Sequence, residues 1–249
     1  MKAKMLCMKY RNCFMRALVL ALVLLGTAEF SQADTLKLLS SPAPPYDDGS
    51  VYTYPYYFSV NNSPTVTPLM CDDYADEVYF GESWTANVWN ITNVADPGHG
   101  QMNVVSGSGS LADTHGLTRS QAYVVAAYLY SELVADLNLT NSKEYSHAVW
   151  ALFTDVPAYN ADSVVTGYVE DAITQTSSLT AAQINSQYGN IAFYTPIAGT
   201  QVDANGNPIA GRPQEFIGRV PEPSSFALLG TGLLALGGLV LRKRRSNFC

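Results

Sequence analysis

Positive charge is scarce through the middle of this chain. Between Asp34 and Val220 the basic residues are only Lys37, Arg119, Lys143, Arg212 and Arg219, while of the 21 acids in the chain only Glu29 and Glu222 lie outside that stretch. The interval therefore carries a net charge of about −14, opposite to the basic footprint that nucleic-acid binding requires, and no nucleic-acid partner is expected. Cysteine is scarce as well. Of the 4 in the chain, Cys7 and Cys13 precede Asp34, Cys249 is the last residue, and Cys71 stands alone between them. A lone thiol cannot form an internal disulfide, so Cys71 is a buried small hydrophobe, a link to another chain, or a reactive group.

Histidine is limited to His99, His115 and His147, which share no metal-ligand spacing. Ser146 and His147 are sequence neighbours in a helical stretch and point about 100° apart, so they do not form a nucleophile and its base. No nucleophile elbow, phosphate-binding loop or dinucleotide fingerprint is present. No catalytic set, metal site or cofactor is therefore expected. Asp72, Asp73, Asp76 and Glu77 offer oxygen ligands of the kind calcium takes, but they read as a solvated acidic loop.

The two ends carry the strongest patterns. Lys2, Lys4, Lys9, Arg11 and Arg16 precede an apolar segment, Ala17 to Leu25, and a small-residue site at Ser31-Gln32-Ala33. This reads as a secretory signal peptide, residues 1–33, with Gly26-Thr27-Ala28 as a second cleavage site. At the other end an uncharged run from Phe226 to Leu241 is followed by Arg242-Lys243-Arg244-Arg245. As a helix at about 1.5 Å per residue it spans roughly 24 Å, and thinning of the bilayer or snorkelling by Arg242 completes a transmembrane helix over 226–241. The basic cluster places its own end in the cytoplasm and everything upstream across the membrane.

Pro221-Glu222-Pro223, the apolar run and the terminal basic cluster together resemble the PEP-CTERM sorting signal of Gram-negative bacteria. That resemblance implies export across the inner membrane through the secretion machinery, a transient stay there, and recognition by an exosortase that cuts near Pro221-Glu222-Pro223. The product is then expected at the cell surface or outside the cell, with extracellular polysaccharide as a candidate partner. The chain thus divides into a signal peptide, an exported domain over 34–219 and a sorting signal over 220–249.

The exported domain is long enough for one real core. A proline- and tyrosine-rich opening, Ser40 to Asn62, leads to an edge strand at Tyr52 to Phe58, and strands follow at Glu77–Phe80 and Ser83–Thr92. In the last of these Trp84 and Trp89 lie on opposite faces, so it should be covered on both sides. Capping-box pairs, Thr118 with Gln121, Asn141 with Glu144 and Thr180 with Gln183, open three helices, the first with an apolar stripe from Tyr123 to Leu137. A fourth helix falls around Asp162 to Thr174. Strands return at Ile191–Pro196, in a hairpin turning at Ala204-Asn205-Gly206-Asn207, and at Gln214–Ile217. The expected fold is α+β, a β-sheet or sandwich with an inserted group of three to four helices, plus the signal peptide and the C-terminal transmembrane helix.

One constellation inside the domain carries chemistry. Met70-Cys71-Asp72-Asp73-Tyr74, with Ala148-Val149-Trp150 in the second helix, resembles the thioester domains of bacterial surface adhesins. In those domains a cysteine bonds to the glutamine that opens a helical Gln-x-Ala-aliphatic-Trp motif. Here the glutamine position is occupied by Ser146, which has no carbonyl carbon and cannot form the bond; Gln121 and Gln214 are candidate substitutes outside the motif. The sequence reading is a non-catalytic exported envelope or matrix protein. Its alternatives are a surface adhesin or cross-linker acting through Cys71, and an envelope polysaccharide hydrolase.

Overall fold

The structure is a computed structural model that describes residues 33–41, 51–91, 109–136 and 138–219, all within one unit that begins at Ala33. Six strands, β1 (Ala33–Ser40), β2 (Tyr56–Val60), β3 (Val66–Cys71), β4 (Ser83–Asn90), β5 (Ile191–Pro196) and β6 (Phe216–Arg219), pair antiparallel. Their order, β1-β2-β3-β6-β5-β4, closes on itself because β1 pairs with both β2 and β4. The sheet is therefore a closed barrel, which removes exposed edges altogether.

This corrects the expected open sheet or sandwich. Two strands escape the sequence pattern. β1 begins on Ala33, the last residue of the segment read as a signal peptide, and its period-two pattern buries only Asp34, Leu36 and Leu38. β3 contains Pro68, which donates nothing to a ladder and argues against a strand, yet it sits in register opposite Tyr57. Without those two strands the remainder has free edges; with them it closes. Glu77–Phe80, expected as a strand, lies outside the six. Among the described residues no helix is long and apolar enough to cross a membrane. Residues 226–241, like the signal peptide up to Gln32, lie outside the described residues.

The helices lie in sequence between β4 and β5: α1 (Leu111–Thr114), α2 (Arg119–Ala135), α3 (Ser142–Phe153), α4 (Pro157–Asn160), α5 (Ser163–Thr176) and α6 (Ala181–Tyr188). Local chemistry sets their starts. Thr118 and Gln121 form a reciprocal capping box before α2, and Thr180 and Gln183 do the same before α6. Asp162 caps α5 by accepting from the backbone N–H groups of Val164 and Val165. Asn141 makes no side-chain cap bond, so the third expected box does not form.

α2 is enclosed on nearly all sides rather than along one stripe: Val125, Ala126, Ala127, Leu129 and Leu133 are all buried. A helix that is apolar all round belongs in the middle of a core, and α2 packs against α3, α5 and α6. Two clusters of buried side chains result. One fills the barrel with Leu36, Phe58, Leu69, Trp84, Tyr194 and Phe216, where the Phe58 and Phe216 rings meet edge to face at 4.7 Å. The other joins the outer faces of the strands, through Met70, Trp89, Phe193 and Ile217, to the helices. Trp84 and Trp89 fall in different clusters, as their opposite faces on β4 require.

Gly218 on β6 is fixed by space. A Cβ there would lie 2.3 Å from Cδ2 of Leu69 and 3.3 Å from Cε2 of Tyr194.

Candidate functional site around Cys71

Cys71 is the last residue of β3 and stands opposite Phe216 in the β3–β6 pairing. Its side chain is fully buried in the barrel cluster beside Trp150 of α3. The thiol donates to the backbone carbonyl of Asp73 at 3.1 Å, and the Trp150 indole N–H donates to the carbonyl of Cys71 at 3.0 Å. Burial pushes the thiol well above its ordinary range, and the neighbouring Asp73 carboxylate pushes it further. A reactive cysteine is set up in the opposite way, with partial exposure and positive charge.

Gln214, two residues before β6, donates its Nε2 to the same Asp73 carbonyl at 2.8 Å. The β3–β6 pairing thus brings Cys71 and Gln214 to one backbone oxygen. Ser146 is elsewhere engaged: its Oγ accepts from the N–H of Tyr54 at 3.1 Å and donates to the carbonyl of Ser142 at 2.8 Å. Gln121 is committed to the α2 capping box. Of the glutamines singled out from sequence, only Gln214 shares a partner with Cys71.

Beside the thiol lies a buried carboxyl pair. Glu215 accepts from the Tyr123 hydroxyl at 2.6 Å and from the Thr195 hydroxyl, which in turn accepts from the indole N–H of Trp89 at 2.7 Å. Both oxygens of Asp72 are enclosed, and their partner is the Glu215 carboxyl, to which a protonated Asp72 donates. Burial, and then the charge of Glu215, push the Asp72 carboxyl well above its ordinary 3.8. Two facing carboxyls in a dry interior cannot both ionise, so Asp72 carries the proton. Burial raises Glu215 as well, while the bonds from Thr195 and Tyr123 pull it back toward ionisation.

Asp73 caps the turn that follows, accepting through Oδ1 from the N–H groups of Ala75 at 3.0 Å and Asp76 at 3.3 Å. Burial, then the Asp76 charge, push its carboxyl up to about 6. The acidic run is therefore no single solvated loop. Asp72 and Asp73 face the interior, Asp76 pairs with Arg212 at 3.0 Å, and Glu77 accepts from the Tyr79 hydroxyl. Among the described residues no group of three or more His, Cys, Asp or Glu is placed to hold a metal ion.

His147 is buried and stacks on Tyr159 at 4.0 Å. His115 closes α1, and His99 lies outside the described residues. Glu215, Thr195 and Tyr123 carry no local sequence signal for their role. A glutamate directly before an apolar strand is the one hint, and reading it requires knowing that β3 and β6 are neighbours.

The sorting residues Pro221, Glu222, Pro223, Arg242, Lys243, Arg244 and Arg245 lie beyond the described residues. The family model for the PEP-CTERM protein-sorting motif matches residues 219–245, beginning on Arg219, the last residue of β6. No curated protein and no solved structure gives a significant match, and no comparison supports the thioester-domain resemblance. The motif implies export with membrane-associated sorting and processing by an exosortase. The chain carries a PEP-CTERM protein-sorting signal in its C-terminal segment.

Proposed function

We propose that the barrel domain has a non-catalytic structural or binding role in the cell envelope or the extracellular matrix, and that exosortase processing delivers it there. The observation that supports this reading is where the reactive groups sit. Cys71, Asp72, Asp73 and Glu215 are all buried, so a substrate has no path to them without opening the barrel end. The test is a double deletion. Removing Pro221 to Pro223, or removing the exosortase, is expected to leave the C-terminal segment attached and to retain the protein at the membrane. Unchanged processing and unchanged location in both strains would contradict the reading.

A second reading, a cross-linker acting through Cys71, is favoured by one specific contact, the convergence of Cys71 and Gln214 on the Asp73 carbonyl. Its chemistry would be attack of the Cys71 sulfur on Cδ of Gln214. The C–N bond breaks, ammonia leaves with the thiol proton, and a thioester remains. Burial and the raised thiol keep this reading second. The intact mass of the exported protein decides it, since the bond lowers the mass by about 17 Da. An unshifted mass together with a free thiol after unfolding rules the thioester out.

A further inference from the structure

Two cavities stand out on the described part of the molecule. One, of about 190 Å³, is a largely apolar groove between α2, α5 and α6, and nothing in the structure says what would cover it. The other, of about 270 Å³, lies where the loop 75–82 meets the segment 201–212, and its walls include Asp76, Glu77, Tyr79, Glu82, Gln201 and Arg212.

The polar cavity has the features of a built site. Glu82 is only 7% exposed, a buried carboxylate at the cavity wall. Its Oε2 accepts from the Tyr79 N–H and from Gln201 Nε2, each at 2.9 Å, while its Oε1 receives no bond among the described residues. Arg212 is anchored through Nε to Asp76 at 3.0 Å, and its terminal amino groups make no bond among the described residues. Tyr79 is 64% exposed yet held at two points, by its N–H on Glu82 and by its hydroxyl on Glu77 at 2.6 Å. Phe80, the next residue, is also exposed, and its ring lies 5.5 Å from that of the exposed Tyr52.

The walls are tied together by close contacts. Gly81, at φ 90°, takes the loop so close to the facing turn that a Cβ on it would lie 2.8 Å from Cβ of Ala204. That turn is itself tied down by Asp203, which accepts from the N–H groups of Asn205 and Asn207 at 2.8 Å and from Asn207 Nδ2 at 2.9 Å. A pre-formed pocket loses less entropy on binding.

The chemistry on offer is a fixed aromatic face, a carboxylate acceptor and guanidinium donors around one small volume. A pyranose ring matches it, with a C–H face to stack and hydroxyls that both donate and accept. The volume falls below the ~300–1,000 Å³ of drug-sized sites, which suits one sugar ring. Asp76, Glu77 and Glu82 outweigh Arg212, so an acidic sugar is repelled. We propose that this cavity binds one non-acidic pyranose residue of a polysaccharide, stacked on Tyr79, with Glu82 accepting and Arg212 donating. The proposal rests on the binding role inferred above and goes beyond it by naming the site and the ligand class.

The test titrates the processed, exported protein calorimetrically with cellohexaose, with a glucosamine hexamer and with a galacturonate hexamer. Binding of either of the first two, and not of the uronate, supports the site. Tyr79→Ala should weaken it at least tenfold, about 1.4 kcal/mol, while Tyr79→Phe, which keeps the ring, should stay within about threefold of the parent. Because Tyr79 is exposed, the melting temperature of both variants should match the parent. Absence of binding, equal binding of the uronate, or an unaffected Tyr79→Ala variant would overturn the proposal. So would a calcium-dependent signal abolished by Glu77→Gln, which would make the cavity a cation site. Processing and surface location of Tyr79→Ala are followed in parallel. If they are normal while sugar binding is absent, the site fails and the envelope role stands; if the parent protein is neither processed nor exported, the role itself fails.

Discussion

Replacing Asp73 by asparagine tests the buried carboxyls directly. Burial and the neighbouring Asp76 raise the Asp73 carboxyl from its ordinary 3.8 to about 6. The folded protein therefore holds this proton more tightly than the unfolded chain does. The stability it contributes is fully present below pH ~3.8 and is lost as pH rises through about 6. At about 1.4 kcal/mol per pH unit, the gap corresponds to about 3 kcal/mol. Asparagine cannot ionise, yet its Oδ1 can still accept from Ala75 and Asp76, so the turn survives. Urea unfolding followed by tryptophan fluorescence across this pH range should show the variant gaining about 3 kcal/mol on the parent between acid and neutral pH. The Asp72–Glu215 pair gives both proteins a slope of the same sign, and because the Asp73 charge also raises Asp72, its removal adds to the gain at neutral pH. A difference that stays flat with pH, or that favours the parent at neutral pH, would refute the assignment of a buried, proton-holding Asp73.

Further outcomes follow from single contacts. Tyr123→Phe removes the donor to Oε1 of Glu215 in a buried setting and should cost ~1–3 kcal/mol; a loss below the error of a melting curve would mean that Glu215 is not held as described. Gly218→Ala drives a methyl into Leu69 and should destabilise by ~1–3 kcal/mol, with partial recovery when Leu69→Val is added; no recovery would place the strain elsewhere. In the processed protein the Cys71 thiol should resist a thiol reagent until denaturant is added and then react stoichiometrically, and rapid native labelling would contradict its burial.

What could be read from the sequence was local or linear. The capping boxes at Thr118 and Thr180 are four-residue patterns, and both form. The alternation that sends Trp84 and Trp89 to opposite faces needs only the strand period. The sorting motif is a linear order of residue types and needs no fold at all. Barrel closure depends instead on β1 and β3, one beginning on the last residue of the segment read as a signal peptide and the other interrupted by Pro68, so each looked unlike a strand in isolation. The candidate site failed for the same reason. Cys71 meets Gln214, and Asp72 faces Glu215, only because β3 pairs with β6 across the whole helical insertion. Ser146 occupies the glutamine position of the helical motif, but the Tyr54 backbone claims its hydroxyl, a contact no local pattern specifies. The polar cavity stayed hidden because Glu77–Phe80 read as a strand, whereas the segment turns so that Tyr79 faces solvent and Glu82 turns inward.

The account stands most directly on where the chain is cut. The intact mass of the exported protein, measured from a strain with its exosortase and from one carrying the Pro221–Pro223 deletion, reports this in one experiment. The parent should end near Pro221-Glu222-Pro223, with the barrel intact through Arg219, and the deletion variant should keep its C-terminal segment. A parent protein that still carries Cys249 when the exosortase is present would contradict it.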